Sequence, residues 1–153
     1  MSILLLTLAL AAPVSPASDQ VPPDHSVSCS VSVRALDAEG LARPARRVSA
    51  AVAPAVVFSG KVSSQEEDAP PLLFDVFNPR GQRYQVLVAT PRVVASERGG
   101  QSFERTTRVR EAALAVAGSS IAWTSMYGQW RVEPRIEGTE KPCGRAEFFT
   151  IQR

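Results

Sequence analysis

Val116 to Gly138 reads VAGSSIAWTSMYGQWRVEPRIEG, and its second half decides the fold. From Trp130 onward, Trp130, Val132, Pro134 and Ile136 fall on one side, and Arg131, Glu133, Arg135 and Glu137 on the other. Successive side chains of an extended chain point to opposite faces, so this period of two marks a strand with one dry and one wet face. Gly128 precedes the alternation and Gly138 follows it, as turn residues bracket a strand. The first half is different. No charge occurs from Ala112 to Trp130, and both tryptophans of the chain, Trp123 and Trp130, lie within the quoted stretch. If Ala117–Tyr127 is a loop, then Trp123, Met126 and Tyr127 make an exposed apolar cluster suited to a partner. If it is a strand, they are core or cross-sheet packing, which is the favoured reading because a small sandwich needs bulky residues.

Working outward, the same period of two recurs. Val27, Cys29, Val31 and Val33 alternate with Ser28, Ser30, Ser32 and Arg34, which places Cys29 on the inward face. Residues 146–151 give a closing strand with Phe149 and Ile151 inward. Leu72–Phe77 and Tyr84–Ala89 are β-prone runs joined by Asn78-Pro79-Arg80-Gly81, a turn that asparagine starts, proline presets and glycine closes. The expected pairing sets Phe74 and Val76 against Tyr84, Val86 and Val88. Residues 108–117 satisfy helix propensity through Glu111-Ala112-Ala113-Leu114-Ala115 with Gly118 as a stop, but the β context favours a strand. Pro54 suggests that the apolar pieces around it form an edge strand or one that changes sheet. Asp37–Arg47 reads as a loop carrying the basic cluster Arg43, Arg46 and Arg47. Ser63–Pro71 reads as a surface connection, and Thr90–Thr107, with Gly99-Gly100, as a mobile loop. About seven or eight short strands between turn signals imply an all-β sandwich or barrel, and no internal repeat points to a solenoid or propeller.

The start of the chain points to export. Ile3–Ala12 is an uncharged apolar run too short to span a bilayer as a mature helix, and Ser15-Pro16-Ala17 supplies small residues for cleavage. Residues 1–17 are therefore expected to be a signal peptide, although no Lys or Arg precedes the run; the alternative is a buried apolar element. Residues 18–26 form a polar, proline-bearing leader, and 27–153 a single domain, with no membrane span in the mature chain. Cys29 and Cys143 are the two cysteines. They are too few for a structural zinc site but suffice for a disulfide in an oxidising compartment, the alternative being two buried free thiols.

Phe74-Asp75-Val76-Phe77-Asn78-Pro79-Arg80-Gly81, followed by Gly128-Gln129-Trp130-Arg131-Val132 and the closing Phe149-Thr150-Ile151, resembles bacterial extracytoplasmic Ig-like domains, including macroglobulin-type modules. The resemblance spans residues 72–151. Gln129 stands where those domains have a small hydroxyl residue. The resemblance implies an Ig-like β-sandwich and no activity, because fold analogy alone does not carry function. It also makes the disulfide reasonable, since first and last strands of such sandwiches often lie beside each other.

Chemistry-bearing motifs are few. His25, the one histidine, falls in the leader beside Asp24, where no rigid shell holds a serine against it. Glu66, Glu67 and Asp68 lack the spacing of a calcium loop and read as a solvated turn. A glycosidase-type pair could be drawn from Asp75 with Glu133 or Glu147, but nothing in the spacing selects it. No phosphate loop, nucleophile elbow or dinucleotide fingerprint occurs, and no cofactor or metal is expected. The 153 residues are 44% hydrophobic and 21% charged, with a net charge of +2, too small to imply nucleic acid. Arg43, Arg46 and Arg47, with Arg105, Arg108 and Arg110, could face an acidic partner, but solvated loops are the favoured reading. The sequence expectation is an exported, periplasmic or extracellular, non-catalytic binding or assembly module acting on a protein or a cell-envelope glycan. Its alternatives are an accessory subunit working by strand addition and a carboxylate-dependent envelope hydrolase.

Overall fold

In the computed structural model the described residues, 27–63, 70–96 and 105–153, build a sandwich of two five-stranded sheets. The expected signal peptide and leader, His25 and the acidic triplet at 66–68 lie outside them. The first sheet runs β2(Ala42–Pro44), β1(Cys29–Leu36), β4(Ala55–Val62), β8(Arg105–Ala115), β7(Thr90–Ser96). The second runs β3(Arg47–Ser49), β10(Glu147–Gln152), β9(Gly128–Ile136), β5(Leu72–Phe77), β6(Arg83–Val88). All pairings are antiparallel except β3 with β10. One short helix, α1(Ser120–Trp123), links β8 to β9.

β9 behaves as its alternation demands: Trp130, Val132, Pro134 and Ile136 are buried and the residues between them are not. They face the inner side of β4, where Val56 and Phe58 are fully buried. Phe58 bridges the layers, its ring 5.8 Å from Phe74 and 5.6 Å from Phe149, while Phe149 stacks on Trp130 at 6.3 Å. Tyr84 closes the row edge-on to Trp130 at 5.2 Å. Such offset and tilted ring pairs add to the burial that drives the sheets together. At Gly60 on β4 they approach closely, since a Cβ there would run into Leu72 and crowd Phe74. Cys29 and Cys143 form a disulfide with Cα atoms 5.3 Å apart. It ties the start of β1 to the turn before β10, and so ties one sheet to the other.

Ten strands form where seven or eight were expected, because two segments expected as loops pair. Within 37–47, β2 lies on β1 and β3 begins alongside β10; within 90–107, β7 and the start of β8 form a ladder from Thr90↔Glu111 to Ser96↔Arg105. Residues 108–117 are strand up to Ala115, as the β context required. Pro54 does not mark an edge. It stands just before β4, an interior strand, and its carbonyl accepts from Val116 N at 2.9 Å. The hairpin faces also differ from expectation. A bulge between Val76 and Phe77 shifts the register, so Phe74 lies opposite Leu87, while Val86 and Val88 lie opposite Asp75 and Leu73 on the outer face. One extra residue in a ladder moves every later side chain to the other side. Pro134 is accommodated because β10 pairs with β9 only as far as Val132, leaving the proline nitrogen without a ladder partner to satisfy.

Candidate binding site

The segment after β8 turns the chain from one sheet into the other and presents an exposed tryptophan. Gly118 adopts φ 71°, a left-handed conformation glycine takes without strain, and Ser119 caps the following turn by accepting from Ile121 N at 3.2 Å. Ile121 is fully buried and pins α1 to the core. The turn is braced on three further sides. Tyr84 Oη lies 2.6 Å from Ser120 Oγ, Thr124 Oγ1 donates to Ser120 O at 2.7 Å, and Trp130 Nε1 donates to Met126 O at 3.0 Å.

On this fixed mount Trp123 is 82% exposed, its Nε1 donating to Gly118 O at 3.3 Å. Met126 and Tyr127 instead pack against the core, with Tyr127 Oη donating to Ala122 O at 3.4 Å. The three residues are thus divided, Trp123 outward and the other two inward. Ala117 N donates to Ala53 O, which brings the 50–54 turn to the same end of the sandwich with Val52 69% exposed. Leu41, on the β1–β2 turn at that end, is 53% exposed. Exposed apolar side chains gathered at one end of a domain are the kind of surface that partners cover.

The basic cluster follows the β1–β2 turn in the chain. Arg43 lies on β2 within 3.3 Å of Asp37, whereas Arg47 lies on β3 opposite Thr150, with Arg46 O accepting from Thr150 N. Arg43, Arg46 and Arg47 therefore run along the seam where the chain crosses between sheets, and all three are exposed. Arg110 reaches Pro70 O at 2.7 Å.

The outer face of the second sheet holds a polar network that the sequence reading did not assemble. Asp75 is buried and takes two bonds from Arg135, Nε to Oδ2 at 2.6 Å and Nη2 to Oδ1 at 3.2 Å, with Arg83 3.9 Å away. These hydrogen bonds hold the Arg135 guanidinium above its ordinary pKa, outweighing the opposing effect of its burial. Glu133 faces Asp75 across the ladder and approaches Arg131 Nε at 3.2 Å, an ion pair off the hydrogen-bonding angle. Arg131 lies 4.2 Å over the Phe77 ring and opposite the half-exposed Phe148. A cleft of about 380 Å³ opens here, lined among others by Asp75, Phe77, Arg83 and Glu133. Register thus brings Asp75 and Glu133 together and sets Glu147, opposite Val132, on the other face. Both clefted carboxylates hold arginines. The alternation of Arg131, Glu133 and Arg135 was the available signal for this face, and Asp75 inside the apolar run LLFDVF was its missing partner.

A second network sits on the outer face of the first sheet, where Glu111 receives Ser59 Oγ at 2.6 Å and Arg92 at 3.1 Å and is bonded by Arg34, which also bonds Ser59. Burial raises the Glu111 pKa, but the Ser59 and Arg92 hydrogen bonds and the Arg34 charge outweigh it, so the carboxyl titrates below the ordinary value. Among the described residues no group of three His, Cys, Asp or Glu side chains could hold a metal, and no helix is long and apolar enough to cross a membrane. Set beside protein-family models, curated proteins and solved structures, the chain matches none of them.

Proposed function

We propose that this chain is an exported, non-catalytic Ig-like binding module of the bacterial cell envelope, whose contact surface is the end of the sandwich around Trp123. The observation that carries the reading is an indole 82% exposed on a turn that capping, a buried Ile121 and the Tyr84–Ser120 contact hold rigid. Tryptophan concentrates binding energy at interfaces, and a rigid mount spares the entropy of ordering it on contact. The strand order supports the Ig-like part. With the three-residue edge strands β2 and β3 set aside, sheet β1-β4-β8-β7 facing β10-β9-β5-β6 follows the order A-B-E-D facing G-F-C, with β6 added beside C. The disulfide and the apolar N-terminal run support export.

The test is quantitative capture from cell-envelope extracts, protein and glycan fractions separately, by the wild type and by Trp123→Ala. The variant should lose at least tenfold in captured partner while its melting temperature stays within about 2 °C, since an exposed side chain contributes little to stability. Equal capture by both proteins, or unfolding of the variant, defeats the reading.

A further inference from the structure

The two sheets end in four edge strands, and they are not equally protected. β2 has three residues and ends in Pro44, β3 has three residues, and β7 carries Pro91 and Arg92 near its start. Short strands, prolines and charges are the devices that blunt an edge against pairing with another chain. β6 has none of them past its first residue. Its six residues, RYQVLV, contain no proline, and Tyr84 to Val88 carry no charge.

The register shows which backbone groups β6 turns outward. Ala89 N donates to Leu72 O at 2.9 Å, so 72/89, 74/87 and 76/85 are the hydrogen-bonded pairs of the β5–β6 ladder. The N–H and C=O groups of Val86 and Val88 then point away from β5, and among the described residues no strand receives them. The same two residues expose their side chains, Val86 by 40% and Val88 by 61%. Backbone and side chains together offer an unprotected, β-branched edge.

We infer that β6 pairs antiparallel with β6 of a second copy of this chain. The pattern is self-complementary. A two-fold axis at Leu87 sets Val86 opposite Val88 of the partner copy twice over, joining their outward backbone groups and bringing four valines onto one face. No arginine meets an arginine, because Arg83 lies beyond the paired residues. A closed two-fold dimer uses one patch against itself, which is what a neutral, symmetric edge provides; a strand of distinct charge would find nothing on Tyr84–Val88 to select it. The result is a continuous ten-stranded sheet made from the two second sheets.

Sedimentation equilibrium of the exported chain should give a reversible dimer. Val86→Pro removes only an outward-facing N–H, and Val88→Lys places a charge on an already exposed side chain; each should raise the dimer dissociation constant at least tenfold. The melting temperature of dilute protein should hold. Hydrogen exchange should show the Val86 and Val88 amides slowing as protein concentration rises. If Val86→Pro fails to fold, Val88→Lys and the exchange measurement decide. A wild type that stays monomeric into the sub-millimolar range overturns the inference, as does a dimer indifferent to Val88→Lys or one dispersed by Trp123→Ala.

Discussion

Removing the Cys29–Cys143 crosslink should cost the domain about 5 kcal/mol, and the structure says where that loss arises. The bond closes a loop with a sequence separation of 114, for which the chain-entropy relation gives about 5 kcal/mol of unfolded-state restriction. The native state should change little, because two backbone bonds already hold the site. Cys29 N donates to Cys143 O and Cys143 N to Pro134 O, both at 2.9 Å. Gly144 packs directly against the Cys29 carbonyl. In a double Cys29→Ser, Cys143→Ser variant those contacts persist while the denatured chain expands. Guanidinium unfolding should then show a lower midpoint together with a steeper slope, since more surface is exposed on unfolding. In a thermal scan the same loss appears as a fall of roughly 15–20 °C, from an entropy near 2 cal/mol/K per residue. Domains of this size hold about 5–15 kcal/mol in total, so the loss takes about a third or more of the stability. A loss under about 1 kcal/mol with an unchanged slope would refute the argument, because it would place the restraint in the native contacts instead.

Glu111→Gln tests the network on the first sheet. Its folded carboxyl titrates below the unfolded value, so its contribution is complete above the unfolded pKa and disappears as pH falls through the folded one. The variant should be less stable by about 1–3 kcal/mol at pH 7, with the gap closing as urea curves are repeated below about pH 4; a gap that stays constant with pH counts against the linkage. Gly144→Ala should cost about 1–3 kcal/mol, because its Cβ would meet the Cys29 carbonyl oxygen and the backbone must yield. A melting temperature equal to that of the wild type would show that the turn before β10 gives way freely.

What could be read from the sequence follows from how many faces each strand buries. β1 and β9 keep one dry and one wet face, and their alternation survives in the residues. β2 and β3 have three residues each, too few for any period to register, and they pair because their neighbours supply the ladder. β7 was obscured by composition: proline, arginine and a nearby Gly-Gly look like a loop, yet β8 offers a complete set of backbone partners. The hairpin was visible but its faces were not, because a bulge at Val76/Phe77 reverses them and no residue type announces it. The outer network required knowing that Asp75 opposes Glu133 and neighbours Arg135 on β9, a fact of register that local sequence does not contain.

The surface around Trp123 was legible only as one of two alternatives, and the reason is also why it carries the functional reading. In a strand, Ile121 and Trp123 are two residues apart and share a face, so both would enter the core. In a helical turn at 3.6 residues each, two residues are about 200° apart, and burying one exposes the other. Ala112–Trp130 contains no charge to decide between them. The decision rests on Gly118, whose left-handed backbone ends the approach from β8, and on Ser119, whose hydroxyl captures Ile121 N and starts the turn. Ile121 goes in and Trp123 comes out. The core is complete without that indole, since Trp130, Phe58, Phe74 and Phe149 already fill the space between the sheets. A side chain 82% exposed adds little to folding, so packing does not account for a tryptophan there, and that is why the proposed contact surface is centred on it.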